Sequence, residues 1–282
     1  MRFITNALLE NTQIGTNMPM DEVTDLNEKI LKDLNQQLEI PKDVLASFQI
    51  KDQLNPDIWK NEKLNPEIKS NLIKIAKDFF KNLELPSNIK LKDILFVGSL
   101  ANYNWSRFSD IDLHVVVDFS DFKEDEDFIK SFFDAQKNLF NSKHDIEVKA
   151  YPVEIYVQDV AEKLHAGAIY SVPHDKWVLK PDPTTFKIDK NLIKRKVQKI
   201  FDKLKSIKKD YELKAFQTVV DKVETLKDDI KEMRQAGLEK GGEFSTENLV
   251  FKVLRRTDFM DLLDSYKIKA YDQLVSVNEE QP

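Results

Sequence analysis

Phe96-Val97-Gly98-Ser99, then ten residues, then Asp110-Ile111-Asp112-Leu113-His114: this stretch decides how the rest of the chain is read. In a strand, successive side chains point to opposite faces. Ile111 and Leu113 then turn toward a core, while Asp110, Asp112 and His114 share the other face. Two carboxylates held side by side repel, and taking them out of water unpaired is costly. A divalent cation removes both problems, and Mg²⁺ prefers oxygen ligands drawn from one or two carboxylates together with phosphate oxygens. The spacing therefore predicts a metal site with Asp110 and Asp112 as ligands. His114, one step further along that face, reads first as a packing histidine.

An Asp-x-Asp pair alone is a common pattern. Gly98-Ser99, at the end of the preceding strand over 93–98, sharpens it. A glycine there lets backbone approach a ligand, and a serine hydroxyl with adjacent N–H groups can hold phosphate oxygens. A short helix over 99–104 would turn its N-terminus toward those phosphates. Arg107, on the approach to the aspartates, is expected as a second phosphate contact.

Working outward, Asn65-Pro66-Glu67 predicts a helix start with Asn65 as cap, and Ile68, Leu72, Ala76, Phe79 and Leu83 along one face. Residues 124–140 read as an amphipathic helix with Phe128, Phe132, Phe133, Leu139 and Phe140 on its apolar side. Strands are expected over 111–117, 146–150 and 153–157, the last two separated by Pro152. A hairpin over 168–179 is expected to turn at Pro173-His174-Asp175. From Asn191 onward the periodicity is helical. Gly237 to Gly242 interrupts it, and Ser245 or Thr246 caps a last helix through Leu263. Ahead of all this, Met20 to Leu38 carries helical spacing. The layout is α+β: a lead-in over 1–60, a central domain over 61–183 and a helical module over 184–282.

Composition narrows the chemistry. Hydrophobic residues make up 41% and charged residues 33% of 282 positions, which suits a folded chain with a well-solvated surface. With 43 Lys+Arg against 49 Asp+Glu the net charge is −6, unlike the basic balance of most nucleic-acid-binding domains. The Lys-rich run from Lys190 to Lys209 reads as a solvated face. There is no cysteine, so disulfides, thiolate metal ligands and a thiol nucleophile are excluded. No secretory signal or membrane span is expected, and the protein is expected in the cytoplasm.

The pattern Gly-Ser, ten residues, Asp-x-Asp in an apolar frame resembles the nucleotidyltransferase fold of the DNA polymerase beta superfamily. That group includes aminoglycoside nucleotidyltransferases, minimal nucleotidyltransferases and RNA-tailing enzymes. The wording from Gly98 through His114 is most similar to nucleotidyltransferases predicted in tailed bacteriophages, which would place the chain in a host cytoplasm. Leu54-Asn55-Pro56, Tyr170-Ser171-Val172 with Lys176-Trp177, and Gly237 through Leu254 add to that likeness. The resemblance implies a third acid on a later strand. Glu154 fits best, between Val153 and Ile155, with Glu147 as its rival. It further implies that Asp110, Asp112 and Glu154 hold two Mg²⁺ ions, or Mn²⁺, with Glu154 helping to deprotonate the acceptor. Gly98, Ser99 and Arg107 would face a nucleoside triphosphate such as ATP. The acceptor would be a hydroxyl on an RNA 3′ end, a protein or a small molecule. The other reading is an interaction protein that keeps the fold and binds nucleotide without turnover.

Overall fold

The computed structural model describes residues 39–164, 166–183 and 187–276. The helical spacing over Met20 to Leu38 lies outside the described residues. From Lys42 on, the described residues belong to one compact unit.

Helix α1 (Lys42–Ala46) leads to a ribbon of β1 (Trp59–Lys60) and β2 (Lys63–Leu64), turned by left-handed Asn61 and Glu62. Helix α2 (Pro66–Asn82) starts where its chemistry dictates. The Asn65 side chain accepts from the Glu67 N–H at 3.1 Å, and Pro66 fills the first turn, where no N–H is needed. Ile68, Leu72, Ala76 and Phe79 form its buried face.

Strand β3 (Asp93–Val97) ends at Gly98, and a single 3₁₀ turn, Ser99–Ala101, follows. A helix dipole requires a run of aligned peptides, so this turn replaces the short helix expected over 99–104 without supplying its field. Strand β4 (Ile111–Val117) then runs antiparallel to β3.

Helix α3 (Glu126–Lys143) crosses over from β4 and packs on β6, the strand described next. It buries Ile129 and Phe133, whereas Phe128 is 62% and Leu139 46% exposed. Phe132, Phe133 and Phe140 thus face inward as expected, and Phe128 and Leu139 do not. The inward face is set by Ile129, Phe133 and Phe140, spaced four and seven apart, with Phe132 beside them.

Strands β5 (Glu147–Val148) and β6 (Tyr151–Asp159) form a tight hairpin. Pro152 does not separate two strands as expected, but lies inside β6. The break comes earlier, at Lys149 and Ala150, whose φ values of 55° and 61° make the mirror-image turn that matches strand twist. Strands β7 (Ile169–Ser171) and β8 (Lys176–Leu179) make the expected hairpin. The six-stranded sheet has the order β5-β6-β4-β3-β7-β8, with β4 and β6 parallel and its other pairs antiparallel.

Tyr170 and Trp177, two aromatics within reach of a stacking role, serve packing instead. Trp59 stands 4.9 Å from Tyr170 and 4.7 Å from Trp177, ring centre to ring centre, with Phe96 at 5.5 Å.

Helices α4 (Lys190–Glu212), α5 (Phe216–Gly241), α6 (Thr246–Arg256) and α7 (Phe259–Val275) complete the chain, with α5 packed on the other three. On α4, Lys203 and Lys205 pair with Asp229 and Asp202 as expected of a solvated face, whereas the Lys208 side chain is only 14% exposed and burial lowers its pKa. Two further expectations need correction. Gly237 does not interrupt α5; it is buried because a Cβ there would stand 2.5 Å from the Glu247 Cβ and 2.9 Å from the Ser245 Oγ. Close approach of α5 to the start of α6 demands the glycine. The last helix also divides at Asp258, whose left-handed φ of 53° ends α6 and begins α7. Among the described residues no helix is long and apolar enough to cross a membrane.

Candidate functional site

Strand register builds the acidic half of the site. Asp112 on β4 lies opposite Val97 on β3 and opposite Glu154 on β6. In-register neighbours share a face, so the parallel pairing sets Glu154 beside Asp112. Asp110 sits immediately before β4. One carboxylate oxygen from each of Asp110, Asp112 and Glu154 lies within 4.8 Å of the others, and the three could hold a metal ion. Glu147 is exposed on β5, one strand further out, and stands outside this group.

The acids are held under electrostatic stress. Burial, then the charges of Asp110 and Glu154, pushes the Asp112 carboxyl well above the usual carboxylate range. Loss of water, then the Asp110 charge, raises Glu154 as well. Both shifts come first from burial and then from the repulsion of neighbouring carboxylates. Three oxygen donors that repel one another suit a hard divalent cation, so the residues present fit Mg²⁺ or Mn²⁺.

Gly98 makes this packing possible. Its φ of +79° and ψ of −168° fall in a region open essentially to glycine. A Cβ on it would lie 1.8 Å from Asp112 Oδ2. Backbone at residue 98 thus lies directly against the Asp112 carboxylate. The Ser99 hydroxyl is 2.8 Å from the Ser109 hydroxyl, which also accepts from the Ser106 N–H at 3.0 Å. These bonds tie the turn after β3 to the residues leading into β4. His114 points its Nδ1 at Gln158 Oε1, 2.9 Å away, and burial lowers its pKa. An amide oxygen only accepts, so the neutral ring carries its proton on Nδ1. It is a packing histidine on the cleft wall.

Arg107 is placed elsewhere. It pairs with Asp43 and lies over the Phe108 ring, with its side chain 70% exposed, and it does not line the cleft beside the acids. The cations that do line that cleft come from the C-terminal helices. Arg234 on α5 and Lys252, Arg255 and Arg256 on α6 form a basic wall around a space of about 300 Å³ shared with Gly98, Asp110 and Asp112.

These four cations have different partners. Arg255 donates to the Asp110 carboxylate. Arg234 lies 4.2 Å over the Phe251 ring. Arg256 donates to the Ser47 hydroxyl at 2.8 Å and is sandwiched by the rings of Phe48 and Phe108. Lys252 has no hydrogen-bond partner among the described residues, and burial lowers its pKa. A legible signal existed: Lys252, Arg255 and Arg256 follow i, i+3, i+4 spacing and so share a helix face.

The helical module is pinned to the sheet by Glu243, in the 3₁₀ turn after α5, which accepts from Asn102 at 2.8 Å and Asn104 at 2.5 Å. A roomier groove of about 720 Å³ lies between α5 and α7, but none of the acids or cations just described lines it, so size alone does not mark the site.

Set against protein-family models, curated proteins and solved structures, the chain matches none of them.

Proposed function

We propose that this chain is a divalent-metal-dependent nucleotidyltransferase with the fold of the DNA polymerase beta superfamily. It would move a nucleoside monophosphate from a triphosphate, ATP being the first to test, to a hydroxyl acceptor. One observation carries the reading: three carboxylates converge within 4.8 Å, and two of them, Asp110 and Asp112, line one cleft with Gly98, Ser99 and a cationic wall. A ligand that satisfies both walls carries cations at one end and several negative charges along its length. A metal-bound triphosphate has that description.

Asp110, Asp112 and Glu154 would hold two Mg²⁺ ions, which supply charge stabilisation to the attacking and leaving oxygens. The chain's own residues do the rest. Gly98 keeps the approach to Asp112 free of a side chain, and Ser99 lines the same cleft. Arg234, Lys252 and Arg255 offset the phosphate charge, replacing the role expected of Arg107. Glu154 would help take the proton from the acceptor hydroxyl, as the superfamily resemblance implies. The hydroxyl oxygen bonds to the α-phosphorus, the bond to the bridging oxygen breaks, and pyrophosphate leaves. An RNA end, a protein hydroxyl and a small molecule are all candidate acceptors.

Incubation with α-³²P-labelled and γ-³²P-labelled triphosphate tests the reading. Label should reach the acceptor from the α position only, and γ label should leave as pyrophosphate. Second-sphere metal mutations cost about 10–100-fold, so loss of a ligand in Asp112→Ala should lower transfer by at least about 100-fold. Equal transfer by Asp112→Ala would remove the assignment. Nucleotide-induced thermal stabilisation with no transferred label would leave the interaction reading instead.

A further inference from the structure

Arg255 bridges the two walls: its guanidinium donates to Asp110, the least exposed of the three acids. The contact is unequal. The Asp110 side chain is 11% exposed, whereas that of Arg255 is 50% exposed and hangs from the last turn of α6. One partner is fixed by the sheet, and the other is a long side chain with room to swing. Arg255 is also drawn by Glu154 and Asp112; although burial opposes its charge, the three carboxylates prevail and hold it firmly protonated. Arg234 and Lys252 line the same cleft without a hydrogen bond to any of the acids.

We propose that Arg255 is a charge latch that couples metal binding to nucleotide binding. The inference rests on the metal and triphosphate reading given above. Arg255 and a divalent cation are alternative counter-ions of the same Asp110 carboxylate, so each weakens the other's hold. Triphosphate oxygens offer the guanidinium a new partner across a cleft of about 300 Å³. Their arrival draws Arg255 from Asp110 and frees that carboxylate for the ion. Metal alone then binds weakly and metal with nucleotide binds well, which keeps the acids from loading ions when there is no substrate. By reciprocity, the factor by which nucleotide tightens metal binding equals the factor by which metal tightens nucleotide binding.

The test uses the full-length chain, with Mn²⁺ binding followed by electron paramagnetic resonance and calorimetry, with and without α,β-methylene-ATP. Because Arg255 and the cation compete for one carboxylate, Arg255→Met should tighten nucleotide-free Mn²⁺ binding about tenfold. It should also reduce the tightening that the ATP analogue produces. Arg255→Lys, which keeps the charge and loses the planar fork, should fall between the two. Arg234→Met removes a charge that feels Asp112 only through space, with no hydrogen bond to the acids, so it should change nucleotide-free Mn²⁺ affinity by less than about threefold.

Unchanged or weaker Mn²⁺ binding by Arg255→Met would overturn the latch while leaving the metal site standing. An equal shift in Arg234→Met would also overturn it, by assigning the effect to the general field of the wall. Failure of both wild type and Arg255→Met to bind Mn²⁺ would remove the metal reading, and the latch with it.

Discussion

The two walls of the cleft are built by opposite rules. The acidic wall is local: Asp110 and Asp112 come from one strand end, and Glu154 joins them through register with the neighbouring strand. The basic wall is remote: Arg255 stands 145 residues along the chain from the aspartate it touches. Strand alternation places carboxylates on a face with little freedom, and Gly98 clears the space beside them. Helix faces present cations on long side chains that reach across. A rigid half and an adjustable half, opposite in charge, suit a ligand that is itself half cation and half anion.

That contrast can be tested from both sides, beginning with the two glycines. Gly98→Ala should destabilise the fold by about 1–3 kcal/mol for backbone strain alone, before the clash with Asp112 is counted. It should also weaken Mn²⁺ binding, because Asp112 must move. Gly237→Ala, behind the basic wall, should cost less. Alanine gains about 1 kcal/mol of helix propensity there, against about 1–3 kcal/mol for overpacking the contact of α5 with α6. Its Mn²⁺ affinity should stay near that of wild type. Thermal melts paired with Mn²⁺ titrations check both variants, and equal damage to metal binding would erase the distinction between the walls.

A smaller effect concerns the stress on the acids. The folded Asp112 carboxyl is raised well above its usual value, so the folded chain binds that proton more tightly than the unfolded chain does. This contribution to stability is present in acid and is lost as pH rises through the raised folded value. In the presence of a chelator, Asp112→Asn should therefore raise the melting temperature at neutral pH, by about 1 kcal/mol of stability, and flatten the pH slope. A lower melting temperature for Asp112→Asn would show that Asp112 is stabilising rather than strained. The same substitution should abolish transfer, so stability and function would move in opposite directions.

Legibility in the sequence followed the same division. Strands β3 and β4, the cap at Asn65 and the acid pair could be read from patterns a few residues long. The choice of Glu154 over Glu147 needed the superfamily resemblance, and the register of β4 with β6 gives it a geometric reason. Features set by contact between distant segments were misread. Gly237 looked like an interruption, because the approach of Glu247 that requires a glycine is invisible from sequence. Pro152 looked like a boundary, although the left-handed pair Lys149-Ala150 makes the turn. Arg107 is near the aspartates in sequence but turns to Asp43, and the cations beside the acids come from helices at the other end of the chain.

The most direct measurement is Mn²⁺ binding in the presence of α,β-methylene-ATP, comparing wild type with Asp110→Asn/Asp112→Asn/Glu154→Gln. Wild type is expected to bind up to two ions per chain saturably and the variant none, with both proteins folded. Equal binding by the two, or none by wild type with nucleotide present, would contradict the metal site.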